Sequence, residues 1–160
     1  AVCTFPDVDS AVDTVITTIQ CGIPVARVEL LDEVQIDAIN RYSKTELEVA
    51  PTLLLEFHGS ENYAAEQAQM VQELALDNGG SNFQWTSNAE ERNRLWQARH
   101  DAAYACKILR PGGTILISGL LVEKVRQVLD RFGEFGFSVC RQEIDGDWAA
   151  VSLIQGPDTI

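Results

Sequence analysis

Pro51-Thr52-Leu53-Leu54-Leu55-Glu56-Phe57-His58-Gly59-Ser60 is the stretch that decides the fold. Thr52 to Phe57 is a nearly unbroken apolar run, which reads as a strand central to a sheet. Gly59 and Ser60 end it, and a helix follows from Glu61 to Asp77 with Ala64, Ala68, Val71, Leu74 and Ala75 as its apolar stripe. Asn78-Gly79-Gly80 closes that helix as a glycine C-cap, and Phe83 to Thr86 reads as the next strand. Upstream, Val25 to Leu31 alternates, with Ala26, Val28 and Leu30 pointing one way and Arg27 and Glu29 the other. A short helix from Asp32 to Tyr42 separates it from the central strand.

Further back, Val2 to Phe5 is a strand, and Asp7 or Asp9 caps a helix with Val12, Val15, Ile16 and Ile19 on its core face. Gly22 and Pro24 end that helix. Ser87 and Glu90 have capping-box spacing and open a long helix to about Leu109, with Leu95, Ala98, Ala102 and Cys106 turned to a core. With the short helix discounted, the order is β-α-β-β-α-β. The expected fold is α+β with a ferredoxin-like core. Thr114–Ser118, a helix carrying Val122, Val125, Leu129 and Phe132, and strands 137–143 and 148–154 joined at Asp145-Gly146 extend it by a β-α-β-β unit.

The chain has 160 residues, 24 acidic against 12 basic, and a formal net charge of -12. Nucleic acid and anionic membrane surfaces both call for basic patches, so neither is an expected partner. No apolar run is long enough to cross a bilayer. Cys3, Cys21, Cys106 and Cys140 lie far apart and have no metal-ligand or redox-motif spacing. Reduced thiols and a cytoplasmic location are expected. His58 and His100 are the two histidines, with no His-x-His or Glu-His pair, so no metal site is expected.

Three stretches resemble the FAD-linked oxidase C-terminal domain of D-lactate dehydrogenases and glycolate oxidase subunits. They are Gly22 to Asp32, Pro51 to Ser60, and Glu91-Arg92-Asn93-Arg94-Leu95-Trp96-Gln97-Ala98-Arg99-His100-Asp101. The resemblance covers residues 1 to about 109 and implies a ferredoxin-like lid over a flavin, in an enzyme that oxidises D-2-hydroxy acids. By that resemblance Arg99, with His100 beside it, would bind the substrate carboxylate, for which a guanidinium offers a bidentate fork. Arg27, Glu29, Glu56 and His58 would face the flavin. Trp96 is expected in the core. The family's flavin-binding domain and its segment of catalytic His and Glu residues are not among these 160 residues. FAD is therefore expected in the parent family and no cofactor in this chain. No catalytic residue is assigned, and the flavin-binding domain is the expected partner.

From Leu109 the residues Leu109-Arg110-Pro111-Gly112-Gly113, Phe132 to Phe137 and Gly146-Asp147-Trp148 resemble the end of a ribosomal-protein lysine methyltransferase. That resemblance implies a junction near 105–110, with residues 110–160 completing the sheet of the first part, so that deleting them would unfold the chain. A remnant of an S-adenosylmethionine-dependent enzyme and a folded chimera without catalysis are the alternative functions. Trp148 is expected to pack on its hairpin. Exposed strand edges invite a homodimer.

Overall fold

The structure is a computed structural model, and it describes residues 1–90, Asn93, Trp96, Ala102, Ala105 and 112–156. The chain divides into two compact units, Ala1–Ala105 and Cys106–Ile160.

The first unit contains β1 (Val2–Thr4), α1 (Val8–Gln20), β2 (Val25–Leu31), α2 (Glu33–Ser43), β3 (Thr52–Phe57), α3 (Glu61–Asp77) and β4 (Ser81–Gln84). All three helices start on a side-chain cap. Asp7 accepts from the Ser10 amide, Asp32 from the Gln35 amide, and Ser60 from the Tyr63 amide, each satisfying an N–H that the first turn leaves open. Helical geometry recurs at Ala89, Glu90, Asn93, Trp96, Ala102 and Ala105.

The sheet order is β2-β3-β1-β4 and every pairing is antiparallel. The apolar run of β3 is thus flanked on both sides, as its sequence requires. Its alternate residues serve two faces. Leu53 and Leu55 join Cys3, Phe5, Ala11, Ile23, Val71 and Ala75 in the main core under α1 and α3. On the other face Leu54 is opposite Glu29, Glu56 opposite Arg27, and Thr52 opposite Leu31. On that face Leu31 packs with Ile36, Ile39, Ala102 and Ala105.

Three expectations are corrected. The inward face of α1 is Ala11, Thr14 and Thr18, with Val15 packed against the core as expected, while Val12, Ile16 and Ile19 are 40%, 46% and 63% exposed. The small residues win because they allow a close approach, and the Thr14 and Thr18 hydroxyls each donate to the carbonyl four residues back, so neither is buried without a partner. In β2 the alternation breaks at a bulge between Val25 and Arg27, so Val25 and Val28 both pack on the core and Ala26 is exposed; Leu30, opposite Leu53, is 38% exposed. β4 ends at Gln84, short of Thr86.

The second unit contains β5 (Thr114–Leu121), α4 (Val122–Gly133), β6 (Phe137–Asp145) and β7 (Trp148–Gln155). They form a separate antiparallel sheet of order β5-β7-β6. Ile115, Val125, Phe137, Ala149, Val151 and Leu153 are its core, and the rings of Phe132 and Phe137 meet edge to face at 5.7 Å. Residues 110–160 were expected to complete the first sheet; their described strands pair with one another instead. The two-residue turn Gly146-Asp147 closes the β6–β7 hairpin, with Gly146 at φ +58°. Trp148 is 56% exposed, not packed as expected, because its strand position faces away from the α4 side.

Candidate functional site: a polar face on β2 and β3

The antiparallel register of β2 and β3 sets Arg27 directly across from Glu56, on the face opposite the main core. Arg27 Nε lies 3.7 Å from Glu56 Oε2. His58 returns to the same face two residues on, and its Nε2 lies 3.1 Å from Glu56 Oε1. The guanidinium of Arg27 lies over the Trp96 ring, 5.2 Å from its centroid, within the range of a cation–π contact. Glu29 shares the face by its place opposite Leu54. Four of the residues proposed for the flavin side, Arg27, Glu29, Glu56 and His58, thus lie on one surface.

The surface is wet. Side-chain exposure is 52% for Arg27, 29% for Glu56 and 72% for His58, so these contacts are worth little to stability. Their value is positional. Glu56 holds a guanidinium with one oxygen and an imidazole with the other, which presents two nitrogen-rich groups side by side. Such a pair can meet a carbonyl or carboxylate oxygen.

His58 is placed from below. Gln67, fully buried on α3, donates from Nε2 to the His58 carbonyl at 3.3 Å and to the Tyr63 carbonyl at 3.2 Å. Gly59 makes the turn at φ +140°, where a Cβ would come 2.6 Å from the Tyr63 ring. Gln67 carries no signal in the sequence, since it sits one position off the apolar stripe. Trp96, expected in the core, is half-buried and stacks on Arg27. Its neighbourhood with an arginine on an alternating strand was the available clue. Arg99 and His100 lie outside the described residues. Among the described residues no cluster of His, Cys, Asp or Glu could hold a metal ion, and no helix is long and apolar enough to cross a membrane.

Residues 1–138 match the family described as FAD linked oxidases, C-terminal domain. The chain belongs to this family. It is 53% identical over 112 residues to a probable mitochondrial D-lactate dehydrogenase of Danio rerio, covering 70% of this chain and 22% of that protein. It is 46% identical over 122 residues to a mitochondrial D-lactate dehydrogenase [cytochrome] of Arabidopsis thaliana, covering 76% of this chain and 22% of that protein. The chain thus spans about a fifth of the length of these relatives. The family match crosses the junction expected at 105–110 and includes β5 and α4, so a methyltransferase origin for these elements is not supported.

An FAD would need more than a polar face. Its diphosphate calls for converging N–H donors or cations. Two surface grooves are formed by described residues. One is lined by Asp7, Glu33 and Glu48 among apolar neighbours, and the other mixes Glu123, Asp130 and Glu134 with Arg126 and Arg131 along α4. Neither fits a diphosphate.

Proposed function

We propose that this chain is the substrate-side, lid portion of an FAD-linked D-2-hydroxy-acid dehydrogenase, and that it does not turn over substrate alone. The observation that supports this is the Arg27–Glu56–His58 face, set by the β2–β3 register within the matched family domain. In this reading the face meets the flavin-binding domain, and Arg99 with His100 grips the substrate carboxylate. The strand order β2-β3-β1-β4 supports the ferredoxin-like plan of such a lid. The boundary between compact units at Ala105 supports treating 1–109 and 110–160 as distinct parts.

Purified chain mixed with FAD and D-lactate should retain no visible flavin absorbance after desalting and should reduce no dye. Turnover above the free-flavin background would overturn the reading. The flavin-binding portion of the Danio rerio relative, produced without the matched segment, should bind the chain in a titration, and Arg27→Ala should weaken that binding. S-adenosylmethionine should give no heat of binding. The cytoplasmic location is part of this proposal, resting on the thiols; the relatives' names specify mitochondria, and fractionation of source cells separates the two.

A further inference from the structure

We infer that the outer edge of β2 is a docking edge for a second copy of this chain, strand against antiparallel strand, with Val28 on the twofold axis. β2 ends the sheet order, and among the described residues no strand pairs with its outer side. An edge of seven residues with no described strand beside it is a template for another strand, and a twofold interface must complement itself.

β2 does so. Centred on Val28, an antiparallel pair sets Arg27 opposite Glu29 of the second copy, and Glu29 opposite Arg27 of the second copy. Both pairs lie on the polar face, and opposite charges across strands favour that register. Arg27 already meets Glu56 through Nε, but a guanidinium has five N–H donors and can serve a second carboxylate. On the other face Val28 stands opposite Val28 of the second copy. Leu30, 38% exposed, lies two residues further along the same face. A shift by one residue would send each charged side chain to the apolar face. The bulge lies between Val25 and Arg27, so the two charge pairs and the central Val28 pair fall on the regular part of the ladder.

The net charge of -12 per chain opposes association at low salt, so the test belongs near physiological ionic strength. Sedimentation equilibrium of the full chain should show a reversible dimer. Arg27→Glu should weaken it about tenfold or more by setting like charges across the dyad, and Arg27→Glu with Glu29→Arg should restore it. Leu30→Lys, which leaves the Arg27–Glu56 pair intact, should weaken it as well. Circular dichroism confirms that each variant is folded. Hydrogen exchange on the wild type is the check that needs no variant: β2 amides should gain protection as protein concentration rises. A wild type that stays monomeric, a double variant that stays weak, or β2 amides indifferent to concentration would each overturn the inference.

Discussion

Cys3 and Gly80 show how tightly single positions are specified. The Cys3 side chain is buried, and its thiol lies 3.3 Å from the Ser81 carbonyl oxygen. Burial pushes the thiol pKa up to about 11. A raised acid pKa stabilises the fold below the unfolded value, and that contribution is lost as pH rises through the folded one. Unfolding by urea should therefore become easier between pH 9 and pH 11, and Cys3→Val should flatten that limb. Thiol labelling at pH 8 should modify exposed Cys21 and Cys140 and spare Cys3 until the chain unfolds. Gly80 stands against the same thiol. A Cβ there would lie 2.7 Å from the Ala75 carbonyl oxygen, 2.9 Å from the Phe5 ring and 3.0 Å from the Cys3 sulfur. The carbonyl caps α3 and cannot retreat, since it accepts from the Gly80 amide at 2.7 Å. Gly80→Ala should cost about 1–3 kcal/mol in chemical denaturation, the range of overpacked cores.

At the scale of the element, β3 and α1 mark where the sequence was legible and where it was not. The apolar run of β3 allowed one placement, between two strands, and the structure puts it there. α3 was equally readable, because Ala68, Val71 and Ala75 form one inward row. α1 offers two rows, one of large apolar residues and one of Ala11, Thr14 and Thr18. Periodicity counts hydrophobicity and selects the first, whereas close packing beside α3 selects the second. Ile16→Ser should thus change monomer stability by about 0.5 kcal/mol or less, while Thr18→Leu should cost about 1–3 kcal/mol, the reverse of what hydropathy implies. The cap was legible as well. The Ser10 amide and side chain hold the Asp7 carboxyl below its usual pKa. A depressed carboxylate contributes above its unfolded pKa and loses that contribution as pH falls through the folded one, so acid should weaken α1. Asp7→Asn, still a good cap, should remove that part of the acid limb in pH-dependent melts. The polar face was half legible. Alternation placed Arg27 and Glu29 together, but only the register across β2 and β3 joined them to Glu56 and His58.

At the scale of the molecule, the two compact units have separate cores and separate sheets. Leu53, Leu55, Phe5 and Val71 centre the first, and Val151, Leu153, Ile115 and Phe137 the second. Strand pairing is the most cooperative link a sheet can offer, and no described pairing joins the two sets. The tail was expected to finish a sheet because its β-α-β-β order suited one. Order cannot say which edge a strand joins, and here β7 finds β5 and β6 on both sides of itself. The buried face of β7, Ala149, Val151 and Leu153, is covered by α4 through Val125, Leu129 and Phe132. Residues 1–105 hold every strand of their own sheet, so a chain ending at Ala105 should melt cooperatively and keep its near-ultraviolet dichroism. The intact chain should then show two steps in urea, and Leu153→Ala should move only one of them, by about 2–5 kcal/mol. A single coincident transition, with the shortened chain lacking fixed tertiary signals, would mean that the two cores depend on each other despite their separate sheets.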